Sequence, residues 1–532
     1  MVAQPSTSAR RLHLRGAVRT RNIIRLFIAI IGGALVTLWV VAAVGSRTSV
    51  LRNALVSALE EHLNADVELQ SFSATNFPLL KISGEGLHVR LKNQVQPAPL
   101  VEIRRFEVSG AISGLLHRQR RFKSVTLEGL RITIPPRTPN DREAGGKAAS
   151  TISGPILIDH VVSTDAELVI MPGDPEKRPR VFAIHELRLD DVGFHRSMPF
   201  RATLTNPTPT GLIETSGVFG PWRADSPGLT PLSGRYQFEH ANLATIHGIG
   251  GTLSSTGDFA GQLSRIDVRG QTSTPDFSID VGAHPVPLET QFHAVVDGTD
   301  GNTYLNRVDA RLEQTSITAS GSVAGQKGVK GRTVKLDVQL PDGRIEDVLR
   351  LAVKADQPVM TGKFSLTTTL VLPPGEQRVA DRLELDGRFS LAETTFTDEG
   401  VQAKLMEMSN RSRGRDADAK MKGPLVSNMD GRFMLRNGAV RFSSLVFKLP
   451  GARVNLAGRY GLRTEALDFE GTFRMDASVS EAAGGGWKGA LLKPVNPLFR
   501  KKGAGTELPI KITGTRRQPK FGLDWGKALK RR

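Results

Sequence analysis

The chain of 532 residues contains no cysteine. That absence excludes disulfides, thiolate metal sites and cysteine nucleophiles, and it suits a chain exported to an oxidising space, where thiols mispair. Tyrosine and tryptophan are scarce, 3 and 4 residues, against 23 phenylalanines. Phe buries a large ring and brings no hydroxyl that needs a partner, so this bias favours dry surfaces over wet interfaces. Familiar catalytic patterns are also missing: there is no HExxH, no GxxxxGK[ST] and no GxSxG. The eleven histidines are scattered, and the closest two, His240 and His247, have neither helical nor finger-type ligand spacing. Glycine-rich stretches at 248–252, 484–489 and 503–506 lack the strand-to-helix context of a phosphate cradle. The sequence therefore reads as a non-enzyme, with no catalytic residues, no metal site and no cofactor.

Charge of one sign is abundant only at the two ends. The formal net charge is +18, but residues 1–25 hold six Arg and no acid, and residues 488–532 hold thirteen Lys or Arg against Glu507 and Asp524. The 462 residues between carry 52 basic and 51 acidic groups. A nucleic-acid partner is not expected, because the charge sits on two tails and the body is neutral.

A second absence is of long apolar runs, with one exception. Residues 26–44, LFIAIIGGALVTLWVVAAV, carry no charge over nineteen positions. At 1.5 Å per residue that run spans about 29 Å, close to the ~30 Å hydrocarbon core of a bilayer. It is longer than the apolar core of a cleaved signal peptide, and it lacks the periodic polar positions of a buried core helix. The expectation is a retained single-pass anchor. Six arginines precede the run and only Arg47 and Arg52 come closely after it, which places the N-terminus in the cytoplasm and the bulk outside.

Past the apolar run the chain holds one helical pattern and then turns to β. Residues 49–63 read as an amphipathic helix, with Ser49 as cap and Leu51, Leu55, Ala58, Leu59 and Leu63 on one face. From about residue 66 the period changes to two, as in KSVTLEGLRITI (123–134), LRNGAVRFSSLVFKL (435–449), ARVNLAGRY (452–460) and TEALDFEGTFRM (464–475). Short helical patterns occur only near 344–354, 399–411 and 485–492. The polar segments 135–150 and 409–424 read as loops.

One tripeptide recurs: Gly, usually a polar or charged residue, then Phe or Tyr. It stands at Gly234, Gly257, Gly362, Gly387, Gly431, Gly458 and Gly471. On a strand, neighbouring side chains face opposite sides, so the charge points to water and the ring inward. The glycine is expected to permit a twist or bend at the strand start.

In 431–475 this alternation collects an inward set: Phe433, Leu435, Val440, Phe442, Leu445, Phe447, Leu449, Val454, Leu456, Leu467, Phe469, Phe473 and Met475. Two readings of it stay open here: the core of an ordinary sandwich, or an open apolar face lined by these residues that holds acyl chains, since a large exposed apolar surface needs a ligand or partner. At the C-terminal end, Arg500, Lys501, Lys502, Arg516 and Arg517 flank a short strand pair, 508–514 and 521–525. They are candidate contacts to anionic lipid head groups.

Three stretches together carry a family likeness. They are the anchor and amphipathic helix with DVELQSFSATNFPLLKISGEGLHVRL (66–91) and KSVTLEGLRITIPP (123–136), then FMLRNGAVRFSSLVFKLPGARVNLAGRYGL (433–462), then NPLFRKKGAGTELPIKITGTRRQPKFGLD (496–524). In this order they resemble the AsmA-type proteins, the wider group of AsmA- and TamB-like bacterial bridge-like lipid-transfer proteins. The resemblance implies a mainly β fold, one N-terminal transmembrane helix followed by an elongated, curved multi-stranded sheet shaped as a trough. It also implies an inner-membrane anchor, a periplasmic body, and traffic of phospholipids between membranes in outer-membrane and envelope homeostasis. The alternative function is a structural or assembly factor for outer-membrane proteins or envelope complexes. The organisation expected on this basis is a cytoplasmic tail (1–22), an anchor (23–45), an N-terminal module (46–134), a loop (135–150), a central β-rich body (151–400), a C-terminal β module (401–480) and a basic end with terminal strands (481–532).

Overall fold

Alternation of period two becomes strand almost throughout a computed structural model of the chain. The structure describes residues 52–53, 56–57, 60, 65–75, 80–91, 99, 101–110, 120–134, 156–171, 180–193, 195–223, 226–280, 284–299, 301–325, 331–355, 357–416, 423–477, 506–516 and 518–523. The apolar run 26–44, the segment 135–150, the 485–492 pattern and most of the basic C-terminal end lie outside them. Among the described residues no helix is long and apolar enough to cross a membrane.

The expectation of a mainly β protein holds, since the described strands form a 24-stranded sheet. The chain divides into two compact units. The first contains β1 (Ala65–Thr75), β2 (Leu80–Leu91), β3 (Val101–Gly110), β4 (Arg120–Ile134), β5 (Ile156–Ile170), β6 (Arg180–Val192), β7 (Met198–Pro207), β8 (Thr210–Phe219) and β9 (Pro231–Asn242). The segments carrying β10 (Ile249–Gly250), β11 (Thr252–Gln262), β12 (Arg265–Ile279) and β13 (Val286–Val296) are divided between the units. The second unit continues with β14 (Thr303–Leu312), β15 (Thr315–Gly325), β16 (Arg332–Arg344), β17 (Met360–Leu372), β18 (Glu384–Phe396), β19 (Ser427–Arg436), β20 (Ala439–Leu449), β21 (Ala452–Gly461), β22 (Ala466–Met475), β23 (Thr506–Thr515) and β24 (Pro519–Leu523). Among the described residues it also holds three α-helices, α1 (Ile345–Ala352), α2 (Val379–Arg382) and α3 (Glu399–Ser412). Two of these match the helical patterns near 344–354 and 399–411. The expected loop at 409–424 begins later than the polar composition suggests, because α3 runs to Ser412 and buries Ser409, Asn410 and Ser412.

Connections are short, so most strands pair antiparallel with their chain neighbours. The exception in the first unit is β4 with β5, which pair parallel from Arg120 opposite Ile156 to Ile134 opposite Ile170. A parallel pair requires the chain to return the full strand length between the two. The core of this unit is one face of β1–β5. Val89 is fully buried, Val101 is 2% exposed and Phe122 is 1% exposed, and Val56 of the helical residues packs against the same cluster. The helix also guards the sheet edge. Arg52 donates from Nε and Nη2 to the Leu69 carbonyl, and the Val67 amide donates to Glu60 Oε1. An edge strand left bare is a template for another chain, and these contacts occupy it.

Candidate functional site

The register of the second unit brings the inward set of the C-terminal module onto one face, in rows that cross the strands. Leu391, Met429, Phe447, Val454, Phe473 and Leu508 stand opposite one another in turn from β18 to β23. The next row is Phe389, Gly431, Leu445, Leu456, Gly471 and Ile510. The third is Gly387, Phe433, Phe442, Gly458, Phe469 and Ile512. The fourth is Leu385, Leu435, Val440, Tyr460 and Leu467. All eleven candidate lining residues, Phe433, Leu435, Val440, Phe442, Leu445, Phe447, Leu449, Val454, Leu456, Phe469 and Phe473, fall on this face. Leu449 continues it one row further, opposite Ala452, which in turn faces Met475.

One irregularity makes this possible. In the sequence the apolar phase of β20 changes between Phe442 and Leu445. Strict alternation would turn one half of the strand to water. The register shifts there against both β19 and β21, so the Ser443–Ser444 segment holds an extra residue as a bulge. A bulge of this kind resets which side chains point inward, and both halves of β20 keep their apolar residues on the same side.

The recurrent glycines act differently from expectation. Of the seven tripeptide glycines, only Gly362 has a left-handed φ, +148°, and it stands where the register of β17 and β18 shifts. Of the other six, Gly234, Gly257, Gly431 and Gly458 make room for rings, whereas a Cβ at Gly387 would meet Thr367 and Thr368 and one at Gly471 the Asn455 backbone. Gly387-Arg388-Phe389 and Gly431-Arg432-Phe433 pair antiparallel, so that each Phe lies opposite the other's glycine. A Cβ at Gly431 would stand 2.5 Å from Phe389, and one at Gly458 would stand 2.8 Å from Phe469. The first unit repeats the device: a Cβ at Gly234 would meet Phe259 at 2.7 Å, and one at Gly257 would meet Tyr236 at 2.8 Å. The rings so accommodated form a chain across the face, with Phe389–Phe433 centroids at 6.1 Å, Phe389–Phe442 at 6.3 Å and Phe442–Phe469 at 5.8 Å.

Helices border this face along one margin. Val348 and Leu349 of α1 pack with Leu340, Phe364, Leu391 and Met429. Further along, Leu405 and Met408 of α3 pack with Leu425, Leu449, Ala452, Phe447 and Phe473. The α3 segment is fastened at both ends. Gln402 accepts from the Leu425 amide at 3.1 Å and donates to the Phe396 carbonyl at 3.0 Å, while Ser409 donates to the Pro450 carbonyl at 2.7 Å. The apolar contact clusters at this margin join residues of the face and of these two helices with Ile317, Leu340, Met360, Phe364 and Leu366 of β15–β17 and with Leu425. Between the margins Phe433, Phe442, Leu445, Leu456 and Leu467 remain partly exposed.

Sequence reasoning missed several members: Leu385, Phe389, Leu391 and Met429, which widen the face upstream, and Leu508, Ile510 and Ile512, which finish it. The tripeptide at Gly387 was the available signal. The expected terminal strand pair is present, as β23 pairs with β22 and β24 with β23. Of the basic head-group candidates, Arg516 donates to Glu465 at 2.8 Å and 3.1 Å, and Arg500, Lys501, Lys502 and Arg517 lie outside the described residues. A polar cleft of about 350 Å³ lined by Gln314, Asp342, Arg344, Glu346, Lys363 and Glu393 also lies in this unit. Its charges answer one another, Arg344 with Glu346 at 2.7 Å and Lys363 with Glu393 at 3.0 Å. Among the described residues no group of three His, Asp or Glu side chains is gathered as a metal would require. No family model matches the chain, and no curated protein and no solved structure matches it either.

Proposed function

We propose that the apolar face of β18–β23 holds the acyl chains of phospholipids. The chain then acts as an inner-membrane-anchored, periplasmic β-groove protein that binds or conducts phospholipids between membranes, in the manner of the AsmA-type proteins it resembles. The observation that supports this reading is the set of aligned apolar rows with partly exposed rings, bordered by helices along one margin. At about 4.8 Å per strand the six strands give a face roughly 24 Å across the ladder. Four rows, six residues apart from first to last, give it a width of about 20 Å. A concave or flat apolar surface of that extent on a folded domain is otherwise a site for association. The polar residues of the same strands point to the opposite side, which keeps such a face compatible with water.

The test is native mass spectrometry of the full chain in mild detergent, together with uptake of fluorescent phospholipid. Co-purified phospholipid is expected, and Phe442→Asp with Phe447→Asp should reduce loading several-fold while the strands remain. A chain free of phospholipid that takes up no labelled lipid would sink the proposal. An assembly role has one observation in its favour: β24 pairs only with Ile510–Gly514 of β23, so among the described residues Leu508 and Pro509 lie beyond the end of that ladder. Photocrosslinkers on both regions separate the two, with lipid adducts at Phe442 supporting the groove and protein adducts at Pro509 supporting assembly.

A further inference from the structure

On the polar side of the same strands, four arginines stand without an acidic partner among the described residues. Arg388 of β18 lies directly opposite Arg432 of β19, and Arg441 of β20 lies directly opposite Arg459 of β21. Arg432 and Arg441 are diagonal neighbours, because Arg441 faces Met434, two residues beyond Arg432. All four are exposed. Asp468 lies directly opposite Arg459 and Asp386 two residues before Arg388, but among the described residues no ion pair joins either to the band; the ion pairs of these strands are Arg436 with Glu384, Lys448 with Asp430 and Lys363 with Glu393.

Like charges directly opposite on a sheet destabilise it. Like charges also face one another at Arg188–Arg201 and Arg344–Lys363, where Arg188, Arg344 and Lys363 have acidic partners in Asp190, Glu346 and Glu393, and at Arg453–Arg474. On β1–β6 the polar face is laced by cross-strand pairs: Lys81–Glu107, Arg90–Glu68, Arg105–Glu85, Arg104–Glu128, Arg131–Glu167 and Arg121–Asp159. Around the band Met434 stands opposite Arg441 and Asp468 opposite Arg459. Ser443 and Ser444 are exposed at the bulge, and Ala457 is exposed beside Arg459, so short side chains stand among the arginine pairs. A guanidinium presents paired N–H donors that match phosphate oxygens two at a time.

We propose that this band, Arg388, Arg432, Arg441 and Arg459, is a docking surface for the phosphate groups of an anionic lipid bilayer. Charge complementarity and the guanidinium–phosphate fit support this occupant. So does the apolar run at 26–44, whose spanning length would hold the chain beside a bilayer. Ser443 and Ser444 add hydroxyl donors between the two arginine pairs. The band stands on the polar side, so it operates whether or not the opposite face carries lipid.

The absence of cysteine makes the test specific, because any introduced thiol is unique. The full chain in mild detergent is labelled with a polarity-sensitive dye at Ala457→Cys, or at exposed Ser320→Cys on β15 as a distant control. It is then titrated with vesicles of phosphatidylcholine, with or without phosphatidylglycerol. The expected result is a blue shift at position 457 with anionic vesicles only, and a smaller one at 320. Replacing all four arginines by Gln should weaken that response at least tenfold and should raise thermal stability, since repulsion is relieved. Vesicle binding with a silent label at 457, or a response unchanged by the four replacements, would overturn the proposal by assigning the binding to the basic tails. A response to a single-stranded oligonucleotide with none to vesicles would overturn the lipid assignment.

Discussion

Two apolar faces of the protein arise from the same alternation and end differently. In the first unit Val67, Val89, Val101, Ile103 and Leu130 are each no more than 6% exposed. In the second, Phe433, Phe442, Leu445 and Leu456 stay partly exposed. The difference lies in the residues chosen for the inward positions. Val, Ile and Leu fill the rows Val67–Val89–Val101–Ile132 and Leu69–Leu87–Ile103–Leu130. β-Branched side chains of similar height make a level surface against which a helix can pack. The first unit sets one ring–glycine row, Phe72, Gly84, Phe106 and Leu127, beside these level rows, whereas in the second unit such rows fill the middle of the face, as in Gly387, Phe433, Phe442, Gly458 and Phe469. Ridges and gaps of that kind are filled by their own rings and leave relief between them.

The largest effect that would separate the two faces is a cavity. Phe122→Ala removes a ring that is 1% exposed and should cost about 3–5 kcal/mol. Phe433→Ala, at a partly exposed position, should cost about half as much or less. Hydrogen exchange of the amides of β3–β5 and β18–β20 reads both locally, and equal losses would break the comparison.

A smaller effect tests the fitted ring. Gly431→Ala places a methyl 2.5 Å from Phe389 and should destabilise by about 1–3 kcal/mol through overpacking. Adding Phe389→Leu should recover part of it, a coupling that a double-mutant cycle measures. Additive losses would mean that the glycine serves the backbone and not the ring.

Smaller again is the fastening of the bordering helix. Gln402→Ala leaves the Leu425 amide without its acceptor, beside a side chain that is 1% exposed, at a cost of about 1–2 kcal/mol. Faster exchange confined to α3 and the residues before β19 is expected. Unchanged exchange would show that α3 is held by Leu405, Met408 and the Ser409–Pro450 bond without Gln402.

The smallest effect is electrostatic. The Lys448 ammonium, and then the Ser390 hydroxyl, hold the Asp430 carboxyl below its ordinary range. Its stabilisation is therefore present above the unfolded carboxylate pKa and is lost as pH falls through the lower folded value. Asp430→Asn should lower stability at pH 7 by about 0.5 kcal/mol, the scale of an exposed pair. The difference should vanish in strong acid, and a difference that persists there would assign the effect to shape.

Much of this is legible in the residues. Period two leaves only one choice of face for each strand, so the lining set from Phe433 to Phe473 can be read off the sequence alone. The terminal strand pair and the two longer helices are legible for the same reason. The bulge at Ser443–Ser444 is written as a change of phase, but a phase change alone does not say on which side it is absorbed. The glycines resist a local reading because the lack of a side chain has two uses. Backbone freedom is visible in a local sequence, whereas room for a ring depends on a strand well separated along the chain, as Gly431 is from Phe389. The parallel union of β4 and β5 carries no local signal, since either strand pairs equally well in both senses.

The bulge on β20 has a further consequence for variation. A strand whose inward pattern is in two phases tolerates only one alignment with its neighbours, because a slip of one residue repairs one half as it exposes the other. Strands without such a break, such as β21 or β22, can slide by two and keep their apolar side. The Ser443–Ser444 step therefore works as an index mark, from which β19 and β21 and then β18 and β22 take their alignment. Deleting one of the two serines should shift several ladders at once, while an equal deletion in a hairpin turn disturbs only the strands it joins.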